Sequence, residues 1–240
     1  MLRLDGVSVS IGAVGILRNV SLEVQRGEFA GLIGRNGAGK TTLLRTVMGL
    51  LPFWQGTLAF EGEALARVPT HARVRLGIGY MPEDRRLVPG LTVEENVLLP
   101  AWSAKFADAD ARLARVYAAI PEVHEFRARR ALQLSGGQQK LVALARAMMA
   151  GTKLLLLDEP FEGVAPVLAR RLAEVIAGLR ASGAAVILAE SSLTHAHHLL
   201  DRVFVIDRGA VAENVGGLRT GPVPQGEGRR APLPPGEGPG

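Results

Sequence analysis

A glycine-rich segment that ends in Lys-Thr is the part of the sequence with the clearest chemistry. It follows an apolar run, precedes a helical pattern and consists of Gly34, Arg35, Asn36, Gly37, Ala38, Gly39, Lys40, Thr41 and Thr42. Glycines let backbone N–H groups converge on phosphate oxygens, and a helix N-terminus adds the positive end of its dipole. In such a segment the lysine reaches the β- and γ-phosphates, and the first threonine hydroxyl coordinates Mg²⁺. This phosphate loop predicts a nucleoside triphosphate site, the alternative being a glycine turn with a chance Lys-Thr.

Two adjacent carboxylates follow the most strand-like apolar run. Residues 154–157 are four leucines, which predict a fully buried strand, and Asp158 and Glu159 come directly after them. At a strand end beside a phosphate loop, the first carboxylate can bind Mg²⁺ and the second can polarise a water molecule. A carboxylate pair of this kind can also be a solvated turn, but its occurrence together with the phosphate loop favours catalysis.

A second helix start with free backbone donors is predicted at residues 134–139, Leu-Ser-Gly-Gly-Gln-Gln. Ser135 and Gln138 have the spacing of a capping box, in which each side chain bonds the other residue's backbone N–H. Gly136 and Gly137 leave backbone donors uncovered, which suits this terminus to an anion distinct from the one at the phosphate loop. Taken alone, the segment favours a well-capped helix with no ligand.

The phosphate loop, the carboxylate pair and this third segment together resemble the motifs of ATP-binding cassette (ABC) ATPases, over about residues 2–216. In that family two cassettes face each other head to tail, and the signature segment of one closes over the ATP of the other. The resemblance therefore implies that Ser135, Gly136, Gly137 and Gln138 contact a partner's ATP. It also implies hydrolysis of ATP by water, with ATP and Mg²⁺ as cofactors and Glu159 as a catalytic residue.

Two further segments resemble one branch of the family, the ATPase subunits of branched-chain amino acid importers. Residues 79–83 read Gly-Tyr-Met-Pro-Glu and lead into an arginine pair. In that branch a glutamate, here Glu83, often replaces the usual glutamine, and it joins Thr41 and Asp158 as an expected metal ligand. Residues 158–166 are also similar to that branch. Relatives in the same group import urea or short amides, so a cassette of that kind stays an alternative.

Two positions depart from the family pattern at sites that contact the nucleotide. Ile11 stands where an aromatic residue usually stacks on adenine; an aliphatic side chain can pack on the ring but lacks the aromatic quadrupole. Ser191 stands where the family has a catalytic histidine, and a serine can hydrogen-bond a γ-phosphate but carries no charge. We therefore expect slower hydrolysis at the site built on Lys40 than at the partner's site. His195 and His198 lie further on, in a predicted helix whose face we expect to be exposed rather than metal-binding.

Strand-like and helical patterns alternate along most of the chain. Apolar runs predict strands at 7–11, 22–24, 29–33, 57–60, 77–81, 154–157, 184–189 and 203–206. Helices are predicted at 40–48, 92–99 and 108–120, another begins at 135, and one more lies between each pair of the last three strands. Together with the family resemblance, this alternation predicts an α/β fold of the P-loop NTPase cassette type. The predicted cassette has a mainly parallel core sheet, an N-terminal antiparallel β part and an inserted helical subdomain at about residues 84–134. Residues 1–216 form the predicted ATPase domain, and residues 217–240 a Gly/Pro-rich disordered tail.

Composition excludes several classes of function. The chain has 240 residues, of which 48% are apolar and 21% charged, and a formal net charge of +5. It contains no cysteine, which excludes disulfides, thiol catalysis and thiolate metal sites. We expect neither a signal peptide nor a membrane-spanning segment, because charges interrupt the most apolar stretch, 141–157. The mild positive charge does not by itself favour DNA or RNA as a partner.

The function expected from the resemblance is ATP hydrolysis that powers uptake of branched-chain amino acids. The expected partners are a second ABC ATPase subunit, generally a different chain, and two membrane permease subunits docked near Glu83 and residues 84–134. A solute-binding protein is an indirect partner, and nucleic acid is not expected. The expected location is cytoplasmic, peripheral on the inner face of the cell membrane. A cassette that acts on nucleic acid or ribosomes is a weaker alternative, since the sequence has no heptad repeats and no second phosphate loop. An exporter cassette with a separate membrane protein stays open.

Overall fold

The computed structural model describes residues 1–214, which form ten strands, seven α-helices and short 3-10 turns. The strands are β1 (Leu2–Ile11), β2 (Val14–Val24), β3 (Phe29–Ile33), β4 (Gln55–Phe60), β5 (Glu63–Ala64), β6 (Ile78–Met81), β7 (Leu154–Asp158), β8 (Ala185–Glu190), β9 (Arg202–Asp207) and β10 (Ala210–Asn214). The helices are α1 (Lys40–Met48), α2 (Thr70–Arg73), α3 (Val93–Ala104), α4 (Ala109–Ala119), α5 (Pro121–Glu125), α6 (Gly136–Ala150) and α7 (Pro166–Gly178). The predicted tail, 217–240, lies outside the described residues.

The strands form two sheets, and this arrangement confirms the predicted fold class. The larger sheet has the order β10-β9-β3-β8-β7-β6, and its strands are parallel except that β10 is antiparallel to β9. The smaller sheet, β2-β1-β4-β5, is antiparallel. Helices α3 to α5 are inserted between β6 and α6 in the sequence. The chain thus has a mainly parallel core sheet, an N-terminal antiparallel part and a helical insertion.

The alternation of side chains along β7 sets the direction of Asp158, the first of the two carboxylates predicted to act at the site. Leu155 and Leu157 pack in a core cluster with α3 to α7, whereas Leu154 and Leu156 pack in a second cluster with α1 and the smaller sheet. Because side chains alternate between the faces of a strand, Asp158 lies on the face of Leu154 and Leu156, toward α1. The buried strand therefore delivers this carboxylate to the start of the helix that follows the phosphate loop.

The N-terminal strands are longer than the apolar runs predicted. β1 and β2 pair from Leu2 with Val24 to Ile11 with Val14, and the register shifts at three places along the way. At one of these shifts Asn19 adopts a φ of 50°. Bulges of this kind interrupt the two-residue alternation by which a strand is found, so the sequence pattern located only parts of this hairpin.

The first helix of the insertion, α3, begins with a capping box and extends beyond its predicted end. Thr92 Oγ1 accepts the N–H of Glu95 at 3.2 Å, and Glu95 Oε2 accepts the N–H of Thr92 at 2.7 Å. Helix α3 then continues through Pro100 to Ala104, past the predicted end at residue 99. A proline removes one backbone hydrogen bond, but the burial of Ala101 at 3% exposure holds the following turn against the core.

The prediction of a helix after β8 is wrong. Between β8 and β9 the helical structure is a 3-10 turn at His197–Leu199, so His195 and His198 do not share a helix face. The His195 ring centroid instead lies 5.8 Å from that of Phe161. The apolar residues of this segment have helical spacing, but they pack against the core in an irregular conformation. Among residues 1–214, none of the helices has the length and apolar character needed to cross a membrane.

Candidate nucleotide-binding and hydrolysis site

The phosphate loop connects β3 to α1 and is shaped by its glycines. Gly37 and Gly39 have φ angles of 80° and 116°, in the left-handed region that favours glycine. A Cβ atom at Gly34 would lie 2.3 Å from the carbonyl oxygen of Ile206, so a larger residue does not fit there. Helix α1 then begins at Lys40 without a side-chain cap, which leaves its first backbone donors free. The loop has the geometry of an anion site.

A cavity of about 370 Å³ lies over the start of α1. It is lined by Ile16, Asn36, Gly37, Gly39, Lys40, Thr41, Thr42, Glu83, Glu159 and Glu162. It therefore brings the phosphate loop together with Glu83 and Glu159, which are distant in sequence. A second cavity of about 530 Å³, between residues 34–38 and 205–208, lacks Lys40 and Thr41, so we place the phosphates in the first. Ile11, the expected adenine contact, ends β1 at 49% exposure and does not line the first cavity.

The Lys40 ammonium is buried among oxygen atoms. It donates hydrogen bonds to the carbonyl oxygens of Gly34 (2.6 Å) and Arg35 (3.2 Å) and to Ser191 Oγ (3.2 Å), and its Nζ lies 3.0 Å from Glu159 Oε1. Its side chain is 5% exposed and that of Glu159 is 7% exposed. A buried charge needs such partners, and a phosphate oxygen is an equivalent acceptor. The carbonyl oxygens thus fix the position of Lys40. A phosphate oxygen can take the place of the Glu159 carboxylate as the partner of the ammonium group.

Asp158 is fully buried and both of its carboxylate oxygens accept hydrogen bonds. Thr41 Oγ1 donates to Oδ1 at 3.1 Å and the Tyr80 hydroxyl donates to Oδ2 at 3.1 Å. Burial raises the pKa of Asp158, and the two hydroxyl groups act in the opposite direction. The carboxylate is therefore held in one orientation, directly beside the threonine of the phosphate loop.

The oxygen atoms of Thr41 and Asp158 fit a magnesium ion. Mg²⁺ is usually bound through one or two carboxylates, with phosphate oxygens and water completing its six ligands. Within residues 1–214, no group of three or more His, Asp or Glu side chains could hold a metal ion. A cation here would thus share its ligands between the chain and a nucleotide. Glu83 lines the same cavity, and burial followed by the negative charges of Glu162 and Asp158 raises its pKa.

Glu159 and Ser191 lie in direct contact. Glu159 has a φ of 47°, the left-handed region, and its Oε2 accepts the Ser191 N–H at 3.2 Å. The Ser191 hydroxyl lies 2.7 Å from Oε1. Burial opposes ionisation of Glu159, but hydrogen bonds from Ser191 and Glu190 and the charge of Lys40 lower its pKa below the ordinary value. Glu159 is therefore ionised at neutral pH, as a group that orients or deprotonates water must be.

Sequence reasoning missed a second carboxyl group beside Glu159. Glu190 ends β8 at 5% exposure, accepts the Phe161 N–H at 3.1 Å and is hydrogen-bonded to Glu159 through their side chains. Burial, followed by the hydrogen bond with Glu159, raises the pKa of Glu190 to about 8. On the other side, the buried Lys140 donates to the Glu159 carbonyl oxygen at 2.7 Å. The available signal was an acidic residue at the end of a fully apolar strand.

Replacing Glu190 with glutamine should make stability less dependent on pH. The pKa of this carboxyl is raised from 4.5 to about 8 in the folded chain, so the stabilisation it gives is complete below pH 4.5 and is lost as the pH rises to about 8. Glutamine keeps the size and the hydrogen-bonding atoms but has no proton to lose. The melting temperature of Glu190→Gln relative to the unaltered chain should therefore rise between pH 6 and pH 8.5. An equal difference at both pH values would contradict this expectation.

The signature residues begin α6 and lie apart from the cavity that holds Lys40. Ser135 Oγ accepts the Gln138 N–H at 3.3 Å, and Gln138 Oε1 accepts the Ser135 N–H at 3.0 Å, which confirms the predicted capping box. Ser135 and Gly136 are exposed, and residues 135–138 do not line the cavity. The terminus is thus free to meet a ligand held by another chain.

Comparison with known proteins agrees with this fold. Residues 17–162 match the family described as ABC transporter. The chain belongs to the ABC transporter family and is an ATPase subunit of a transporter. It is 39% identical over 211 residues to the high-affinity branched-chain amino acid transport ATP-binding protein BraG of Pseudomonas aeruginosa, covering 88% of this chain and 91% of that protein. It is 34% identical over 196 residues to the lipopolysaccharide export system ATP-binding protein LptB of Escherichia coli (strain K12), covering 81% of each.

Solved structures of ATP-binding cassettes have the same fold. A nucleotide-free cassette from an ABC transporter superimposes with a TM-score of 0.78 and 27% identity, covering 89% of this chain and 90% of that one. A dimeric cassette in a post-hydrolysis state, bound to ADP and Pi, gives a TM-score of 0.81 and 25% identity, covering 91% and 99%. As a cassette of this family, the chain binds ATP and hydrolyses it to ADP and phosphate.

Proposed function

We propose that the chain powers the import of branched-chain amino acids through separate membrane permease subunits. The observation that carries this proposal is the similarity to BraG over 88% of the chain. Residues 79–83 and 158–166, which resemble that branch of the family, support it. A nucleotide-binding subunit does not contact the solute, so the support comes from likeness rather than from a solute pocket.

In the proposed nucleotide complex, the phosphate loop, residues 34–42, surrounds the triphosphate with backbone donors. Lys40 contacts the β- and γ-phosphates, and the positive end of the α1 dipole faces the same oxygens. Thr41 and Asp158 hold Mg²⁺, with Glu83 at the edge of the cavity. When bound there, the cation neutralises charge on the phosphate oxygens. Ile11 packs on the adenine ring.

Hydrolysis at this site is an attack of water on the γ-phosphorus. Glu159 orients the water and accepts a proton as the new P–O bond forms, and the bond to the β-phosphate oxygen breaks to release ADP and phosphate. Lys40 stabilises the charge that develops on the transferred group. Ser191 hydrogen-bonds the γ-phosphate but, unlike a histidine, adds no positive charge, which makes this site the slower of two.

The proposed assembly pairs this chain head to tail with a second ABC ATPase subunit of different sequence. Ser135, Gly136, Gly137 and Gln138 contact ATP held by that subunit. Closure of the two cassettes on ATP moves two permease subunits, which receive solute from a solute-binding protein, and the chain lies at the cytoplasmic face of the membrane. A cavity of about 310 Å³ whose lining includes Leu50, Val74, Pro82 and Arg86 offers a groove for a permease segment.

Export is the second candidate function, because the exporter subunit LptB is 34% identical over 81% of the chain. A urea or short-amide importer is a third, on the resemblance noted for its branch. Each of these predicts a different solute for the assembled complex.

The test is solute-stimulated ATPase activity in membrane vesicles. The chain is reconstituted with the proposed second cassette and permease subunits, and the solute-binding protein is added with leucine, urea or no solute. Stimulation by leucine and not by urea is expected. Stimulation by urea alone, or co-purification with lipopolysaccharide and no response to any solute-binding protein, would contradict amino acid import.

A further inference from the structure

Tyr80 is a polar side chain in the middle of an apolar strand pair. In the register of β6 and β7, Tyr80 is the partner of Leu156, and Asp158 is the second residue beyond Leu156. Side chains two residues apart share a face of the sheet, so Tyr80 and Asp158 are diagonal neighbours on one face. This placement gives the hydrogen bond of 3.1 Å from the Tyr80 hydroxyl to Asp158 Oδ2.

The Asp158 carboxylate has two hydroxyl donors of different kinds. Thr41, which bonds Oδ1, is itself a proposed ligand of the cation, so its hydroxyl has a second task. Tyr80 lines the separate cavity of about 310 Å³ rather than the one that holds Lys40 and Thr41. Its hydroxyl also interacts with Arg45, and it donates its proton to Asp158 Oδ2. The ring packs against the cluster that contains Leu154 and Leu156.

We propose that Tyr80 is a positioning residue for the divalent cation: its hydroxyl fixes the Asp158 carboxylate so that Oδ1 faces Thr41 and the metal. Groups that hydrogen-bond a metal ligand fix its orientation, and their loss typically weakens metal binding by about 10- to 100-fold. This inference rests on the proposed role of Asp158 as a metal ligand.

Metal affinity of the full-length chain carrying Tyr80→Phe is the test. Phenylalanine keeps the packed ring and removes the hydroxyl. Mn²⁺ is titrated in the presence of ADP, and free Mn²⁺ is followed by electron paramagnetic resonance. The affinity for Mn²⁺ is expected to fall at least about tenfold, whereas ADP binding measured in EDTA stays unchanged, which also shows that the variant is folded.

The chain contains a matched control in its other tyrosine. Tyr117 also donates its hydroxyl to a partly buried carboxylate, Glu94 Oε2, at 2.8 Å. This pair lies in the helical insertion, away from the proposed metal site. Tyr117→Phe should therefore leave the affinity for Mn²⁺ unchanged. Equal Mn²⁺ affinities for Tyr80→Phe and the unaltered chain would overturn the inference alone. Failure of the unaltered chain to bind Mn²⁺ with ADP would overturn the proposed metal role of Asp158 and the inference with it.

Discussion

Replacing Lys40 with alanine is expected to weaken ATP binding by roughly 100-fold and to lower the ATPase rate of this site by roughly 1,000-fold. The Lys40 side chain is 5% exposed, and the carbonyl oxygens of Gly34 and Arg35 accept hydrogen bonds from its ammonium group. A charge held in a dry site before the substrate arrives needs little reorganisation, so its contribution to binding phosphate is large. Equilibrium binding of a fluorescent ATP analogue measures the first effect. Phosphate release in a complex whose partner cassette carries the substitution equivalent to Glu159→Gln measures the second.

Folding and charge are controlled separately in this experiment. Because Lys40 is paired with Glu159, its removal leaves a buried carboxylate without its cation, and circular dichroism is needed to show that the variant is folded. Lys153→Ala removes a lysine at an exposed position outside the cavity and should bind ATP normally. Normal ATP binding by folded Lys40→Ala would contradict the proposed role of the phosphate loop.

Glu159→Gln is expected to keep ATP bound while lowering hydrolysis at this site by roughly 100-fold or more. Glutamine can still accept a hydrogen bond from Ser191, but it cannot take a proton from water. The bound nucleotide should therefore remain ATP after long incubation with Mg²⁺, which is read by chromatography of the extracted nucleotide. Glu174→Gln, on an exposed part of α7, is the control and should release ADP at the normal rate.

The same variant tests the inequality of the two sites. Ser191, unlike a histidine, adds no positive charge at the γ-phosphate of the site built on Lys40. Most turnover in the complex is therefore expected at the other site. Glu159→Gln should then lower the steady-state ATPase rate of the complex less than the equivalent substitution in the partner cassette does. Equal losses from the two substitutions would contradict this asymmetry.

The phosphate loop and the carboxylates were predictable because each depends on residues that are close in sequence. The loop needs glycines at left-handed positions such as Gly37 and Gly39, followed at once by a helix. Four consecutive leucines are typical of a strand covered on both faces, and such a strand presents Asp158 at its end. A local rule of this kind also predicted the capping box of Ser135 and Gln138.

Contacts between distant segments could not be predicted, because they depend on register and packing. The hydrogen bond from Tyr80 to Asp158 requires that β6 and β7 pair with one particular offset. The carboxyl pair of Glu159 and Glu190 requires that β7 and β8 be neighbours, although α7 separates them in the sequence. The segment after β8 has a helical apolar pattern but an irregular conformation, since tertiary packing decides between the two there.

Uptake of radiolabelled leucine is the most direct test that ATP hydrolysis by this chain drives amino acid import. Vesicles contain the chain, the second cassette and the permease subunits, with ATP inside and leucine-loaded solute-binding protein outside. Leucine should accumulate in the vesicles. The same vesicles made with Lys40→Ala should accumulate almost none, because in the proposed assembly the two cassettes close only when ATP is bound at both sites. Absence of leucine uptake by the unaltered complex, or undiminished uptake with Lys40→Ala, would contradict the proposed function.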